Sequence, residues 1–153
     1  MNKVVKFAGA LAALLVVAGP LLAATPEQEK AFVDGYKKAF DAKDAAALKA
    51  LLYTKGAEPM ALDFYAQMMT ADFGATITEI SLQPLSADDA KKVAAPMDGP
   101  AGGKFVLAPK AYKKLVIKTE KKSSTGNSTT SSESFVAEAD GKLVIATPAP
   151  VKK

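Results

Sequence analysis

The side chains of this 153-residue chain that could take part in catalysis are those of Asp, Glu, Tyr, Lys and Ser. The chain has no His, Cys or Trp, and all 20 of its basic residues are Lys. Without imidazole or thiolate, the usual zinc sites, haem and iron–sulfur ligation, a Cys nucleophile and a Ser-His-Asp triad are all excluded. Without Arg, the chain has no guanidinium group that could bind phosphate, carboxylate or guanine through two parallel hydrogen bonds. We therefore expect no catalytic residue and no cofactor. Since Asp88-Asp89 and Asp98-Gly99 also lack the spacing of a calcium loop, we expect no metal ion.

Tyr36 is the most notable of the remaining groups because it lies within an apolar helical stripe. Phe32, Tyr36 and Phe40 recur at spacings of four, which places them on one helix face. The segment "TPEQ" from Thr25 predicts the start of this helix, since Thr and Gln three residues apart form a capping box. Tyr36 is either a functional residue of a ligand or substrate pocket or a core aromatic whose hydroxyl reaches a backbone partner.

Two more helices are predicted before the chain changes character. Asp44 caps a short one, and "EPMALDFYAQMMTADFG" gives another that begins near Pro59 and ends at Gly74. Phe64 and Met68 share one face of the latter. Several methionines, Met60 and Met97 among them, could line an adaptable pocket or fill the core.

From residue 75 onward the pattern is that of strands. "ATITEISLQPL" alternates, with Ile80 on one face and Ile77 on the other, and Asp140-Gly141 predicts a tight hairpin. "SADDAKKVAA", capped by Ser86, predicts a helical turn or two. Helices followed by antiparallel strands give an α+β fold, with three N-terminal helices on a curved antiparallel sheet. The tail, residues 148–153, is predicted to be disordered.

The N-terminus predicts export. Two lysines precede an apolar run that ends at Gly19-Pro20 and small residues, as in a secretory signal peptide over residues 1–24 with cleavage after Ala24. The alternative is an uncleaved membrane anchor over Val4–Ala24. We expect a periplasmic or secreted protein whose single mature domain covers residues 25–147.

The segments "AFVDGYKKAFDAKDAAALKALL" and "SFVAEADGKLVIAT" resemble the first helices and the last hairpin of NTF2-like (cystatin-like, SnoaL-like) domains. The resemblance covers roughly residues 26–147 and implies a cone-shaped fold with an apolar cavity. Members include isomerases, dehydratases, cyclases and secreted modules without known chemistry, so the fold does not give the function. The residues that could line such a cavity are Tyr36, Phe40, Phe64 and Met68.

The leading hypothesis is a non-catalytic accessory or binding module that takes a small hydrophobic ligand or a protein partner, or that self-associates. A homodimer is implied by the resemblance, and no nucleic acid is expected. The alternative is an isomerase or dehydratase, because "GYKKAFDAKD" resembles the helix of ketosteroid isomerase that carries its oxyanion-hole Tyr. It would use Tyr36 and a carboxylate, although Glu58 lies two residues away from the position that corresponds to the catalytic base of that enzyme.

The last feature is a lysine-rich strand. Its lysines could bind an anionic surface, or they could be a solvated strand face that blocks edge-to-edge pairing. The residues are Lys110, Lys113, Lys114, Lys118, Lys121 and Lys122.

Overall fold

The computed structural model describes residues 24–99 and 102–151, and within them the chain forms four helices and seven strands. The helices are α1 (Pro26–Asp41), α2 (Ala45–Lys49), α3 (Pro59–Thr70) and α4 (Ala87–Ala94). The strands are β1 (Thr76–Pro84), β2 (Met97–Asp98), β3 (Lys104–Ala108), β4 (Lys113–Ser123), β5 (Gly126–Ala139), β6 (Lys142–Ile145) and β7 (Thr147–Pro150).

Local capping explains where the helices begin. Thr25 and Gln28 form the predicted capping box of α1, and the side chain of Asp44 accepts from the Ala47 N–H at the start of α2. Glu58 occupies the N-cap position of α3 without a side-chain capping bond. Its backbone N–H instead donates to the Pro148 carbonyl at 3.0 Å, which ties the start of α3 to β7.

The strands form two sheets. A four-stranded antiparallel sheet has the order β1-β4-β5-β6, and a three-stranded antiparallel sheet has the order β2-β3-β7. The chain passes from one sheet to the other at Ala146, between β6 and β7. The predicted α+β class is confirmed, with helices packed against antiparallel sheets.

The main core lies between α1, α2 and one face of the four-stranded sheet. Leu48, Leu115, Val136 and Ile145 are almost completely buried there, together with the aromatic stripe of α1. A smaller cluster of Ala111, Ala137 and Ala146 packs against side chains that include Val93 of α4. Each face of the sheet therefore has its own apolar contacts.

Two predictions about the strands were wrong. The pairing of β1 with β4 shifts register between Ile77 and Glu79, and this bulge brings Ile77 into the same core cluster as Ile80 and Leu82. Simple alternation had assigned Ile77 to the opposite face. The tail predicted to be disordered forms β7 over Thr147–Pro150, because β3 supplies a partner strand that local sequence cannot reveal.

The predicted signal peptide, residues 1–24, lies outside the described residues except for Ala24. Within the described part of the chain, no helix has the length and apolar character needed to cross a membrane.

Candidate functional site: an apolar groove beside helix α3

A groove of about 350 Å³ lies between α3 and the three-stranded sheet. Most of its lining is apolar. The lining residues are Glu58, Met60, Ala61, Phe64, Met97, Asp98, Gly99, Phe105 and Pro148. This volume is at the small end of the range for ligand pockets.

Helix α3 forms one wall because it has a second apolar face besides the one in the core. Met69 is buried, and Tyr65 packs against the core cluster. Met60 and Phe64, one helical turn apart, point away from that core and are 66% and 59% exposed. Large apolar side chains grouped on a surface commonly mark a place where something binds.

Gly99 and Phe105 shape the opposite side of the groove. A Cβ atom on Gly99 would lie 1.9 Å from Cε2 of Phe105, so the ring lies where a side chain at residue 99 would be. The Gly99 N–H donates to the Gly103 carbonyl at 2.8 Å and fixes the backbone that comes so close to the ring. Glycine is therefore required here for the observed position of Phe105.

The rim of the groove carries two carboxylates. Asp98 is paired with Lys104, whereas the side chain of Glu58 makes no capping bond with α3. The polar groups at this site therefore favour a neutral or positively charged ligand end over an anionic one.

The four residues predicted to line a cavity are not brought together. Tyr36 and Phe40 are buried core residues, at 4% and 3% exposure. Phe64 lines the groove, and Met68 lies one turn further along α3, outside the lining. The sequence reasoning missed Phe105, Gly99 and Pro148. In the sequence, only the spacing of Met60 and Phe64 and the presence of Met97 indicate this site.

Tyr36 lies near an acidic side chain within the core. Burial, and secondly the negative charge of Asp72, raise the pKa of Tyr36 to about 12. The Asp72 carboxylate accepts a hydrogen bond of 3.1 Å from Oγ1 of Thr119, a buried residue of β4. A phenol with so high a pKa stays protonated at neutral pH and is a weak acid.

Three of the five lysines of β4 form ion pairs. Lys113 and Lys118 pair with Glu29 at 2.6 Å and Glu79 at 2.7 Å. Lys114 contacts Asp89 at 3.1 Å and Glu133 at 3.2 Å, and these hydrogen bonds raise its pKa. The positive charge of these three lysines is therefore largely neutralised by neighbouring carboxylates, which leaves Lys121 and Lys122 at the exposed end of the strand and makes β4 the weaker candidate for a binding site.

Among the described residues, no group of three or more Asp or Glu side chains is arranged to hold a metal ion.

Comparisons with known proteins give weak similarity. No family model and no curated protein sequence matches the chain. Among solved structures, the helical cell shape determining protein Pgp2 from Campylobacter jejuni aligns with a TM-score of 0.43 and 10% identity. That alignment covers 77% of this chain and 38% of Pgp2, so the chain corresponds to well under half of that protein. A Pseudomonas putida KT2440 protein with a provisional assignment as a polyketide cyclase aligns with a TM-score of 0.35 and 16% identity, covering 80% of this chain and 89% of that one.

Proposed function

We propose that this chain is a non-catalytic, NTF2-like binding module of the periplasm or the secreted fraction, which holds a small hydrophobic ligand in the groove beside α3. One observation carries the proposal: the exposed apolar side chains of Met60, Phe64 and Met97 converge on a single groove. Exposed apolar surface has a free-energy cost in water, which a bound apolar ligand removes.

The lining restricts the chemistry of the ligand. Methionine side chains are unbranched and flexible, so they adapt to aliphatic or aromatic ligands of different shapes. The Glu58 carboxylate at the rim favours a ligand whose polar end is neutral or cationic, such as an amine or an alcohol, over a fatty acid.

A fluorescence titration with Nile red, a neutral apolar dye, tests the groove. We expect Phe64→Ala to weaken binding roughly tenfold, because burying a Phe side chain contributes about 1.5–3 kcal/mol and each 1.4 kcal/mol is tenfold in affinity. Met68→Ala is the matched control, since Met68 lies on the same helix with similar exposure, 51%, but outside the lining. Equal weakening by both substitutions contradicts the assignment to the groove.

Displacement of the dye tests the charge preference. Octylamine and octanoate have the same chain length and opposite charge, so they form a matched pair. We expect octylamine to displace Nile red at the lower concentration. Equal or better displacement by octanoate contradicts a role for Glu58.

The second candidate is an isomerase or dehydratase that uses Tyr36 and a carboxylate. The observation that favours it is the effect of Asp72 on the pKa of Tyr36, which supplies a carboxylate near the phenol. The 4% exposure of Tyr36 weighs against it, because a substrate would have to displace core side chains. The two candidates differ in the expected result for Tyr36→Phe: a binding module keeps its Nile red affinity and has no turnover to lose, whereas the enzyme loses turnover.

A further inference from the structure

The two sheets protect most of their edges against pairing with other chains. Strand β1 has a bulge after Ile77 and ends at Pro84, and β7 contains two prolines. Residue Ile145 of β6 exchanges backbone hydrogen bonds with Leu51 and Tyr53, at 2.8 and 2.9 Å. Strand β2 has only two residues. Bulges, prolines, covered edges and short strands are the usual means of blocking edge-to-edge association.

One side of β5 lacks this protection. The strand is 14 residues long, but β6 pairs only with its last part, Val136–Ala139. Along the preceding part, no other described strand pairs with β5 on the side opposite β4. Residues 126–131 are exposed, and the stretch from Gly126 to Phe135 contains no proline and no lysine.

The direction of the backbone groups follows from two hydrogen bonds. The Phe135 carbonyl accepts from the Ala146 N–H at 2.8 Å, on the β6 side, and the Val136 carbonyl accepts from the Tyr112 N–H at 3.0 Å, on the β4 side. Alternate residues of a strand direct their N–H and C=O groups to opposite sides. The open side therefore presents the backbone groups of one alternating set: Asn127, Thr129, Ser131 and Glu133.

We propose that this edge pairs with the same edge of a second copy, antiparallel, about a two-fold axis at Thr130. In this register Asn127 lies opposite Glu133 of the other copy, and Thr129 lies opposite its Ser131. All four outward residues then donate and accept a backbone hydrogen bond. The interface is isologous, as in most homodimers, and it joins the two four-stranded sheets. None of the groove residues lies on β5, so the inference is independent of the proposed ligand.

Side-chain complementarity favours a second copy as the occupant. Glu133 is the one charged residue between Gly126 and Phe135, and its charge is already paired with Lys114 of its own chain at 3.2 Å. In this register it lies opposite Asn127, whose amide donates to Glu120 of its own strand pair at 2.8 Å, and not opposite its own equivalent, so no like charges meet. The other opposed pairs are Ser and Thr hydroxyls, which stabilise antiparallel pairs through hydrogen bonds. Thr is also a favourable strand residue.

Cysteine cross-linking tests the register, since the chain has no Cys of its own. In the proposed dimer the two Thr130 residues form a directly opposed pair that is not hydrogen-bonded, with Cβ atoms about 4.5–5.5 Å apart. We expect Thr130→Cys to form a disulfide dimer under mild oxidation. Thr125→Cys is the control, because it is also exposed, at the hairpin turn, but lies about 30 Å from its equivalent in this register. Equal cross-linking of both variants overturns the register.

Sedimentation velocity of the wild-type protein, which has no Cys, tests the dimer without cross-linking. The buried area is small, so we expect a weak dimer that forms between about 10 µM and 1 mM. Thr130→Lys places two lysines opposite each other, and we expect it to raise the dimer dissociation constant about tenfold or more. Thr125→Lys should leave it unchanged. A chain that stays monomeric over this range, or a dimer insensitive to Thr130→Lys, overturns the proposal. Binding of an added strand-forming peptide by a chain that does not self-associate also overturns it.

Discussion

Tyr36 has the character of a core residue more than that of a reactive group. Its ring lies in the apolar stripe of α1 with Phe32 and Phe40, and its raised pKa follows first from burial. The spacing of these aromatics predicted their common face correctly. The sequence could not indicate that Asp72, 36 positions further on, would lie near the phenol, because that proximity depends on how α1 packs against the segment after α3.

We predict that Tyr36 makes the fold sensitive to alkaline pH. A pKa raised from 10.0 to about 12 leaves the stability unaffected below pH 10, where both states are protonated, and lowers it as the pH rises to 12. The full shift corresponds to roughly 2–3 kcal/mol, of which about half is lost by pH 11. Urea unfolding at pH 8 and pH 11 measures this loss.

Tyr36→Phe removes the titrating group, so the variant should lose about 1 kcal/mol less than the wild type between these pH values. Tyr53→Phe is the control, because Tyr53 lies outside the core cluster. If Tyr36→Phe loses as much free energy of unfolding as the wild type, Tyr36 is not the source of the alkaline sensitivity.

At the scale of elements, α4 is held by one carboxylate with several partners. Asp89 completes the capping box with Ser86 and also pairs with Lys114 on β4, and these hydrogen bonds hold its pKa below the ordinary 3.8. The capping box was predictable from four adjacent residues. The ion pair was not, because it requires α4 to pack against a strand that begins 19 residues later.

We predict that Asp89→Asn lowers the midpoint of thermal unfolding, since it weakens the cap and leaves the half-buried Lys114 with Glu133 alone. Because the pKa of Asp89 is lowered in the folded state, the stabilisation that its charge gives to the fold is fully present above pH 3.8. It is lost as the pH falls through the lower folded-state pKa. The difference between variant and wild type should therefore be large at pH 7 and shrink toward pH 2.

Asp88→Asn is the matched control for this measurement. Asp88 precedes Asp89 on the same helix but is exposed, and its contact with Lys91 is 4.0 Å long. Surface pairs of this kind contribute little to stability. An equal loss for both substitutions would show that Asp89 has no special structural role.

At the scale of the whole molecule, sequence patterns predicted the elements better than their assembly. The three N-terminal helices, the Asp140-Gly141 hairpin and the α+β class depend on short-range spacing and turn chemistry, and they were predicted correctly. The second sheet, the β1 bulge and β7 depend on pairing between distant segments. The groove has the same origin, since its walls come from α3, the β2–β3 region and Pro148.

The long-range assembly also explains why exposed apolar residues of α3 were misread as part of an internal cavity. Their spacing indicated an apolar face, but not whether that face would be covered. In the folded chain, Phe64 and Met68 remain more than half exposed, at 59% and 51%. A surface groove, and not the interior of a cone, is consequently where we expect the ligand.

The most direct measurement of ligand binding is native mass spectrometry of the protein expressed from the whole sequence and purified after export in a bacterial host, compared with its mass under denaturing conditions. We predict an additional mass, lost on denaturation, that belongs to a neutral or cationic apolar molecule. Phe64→Ala should reduce the fraction of protein that carries the ligand and Met68→Ala should leave it unchanged, because Phe64 lines the groove and Met68 does not. A wild-type protein with the same mass under both conditions, or an additional mass that Phe64→Ala does not reduce, would contradict a ligand-binding role for this groove.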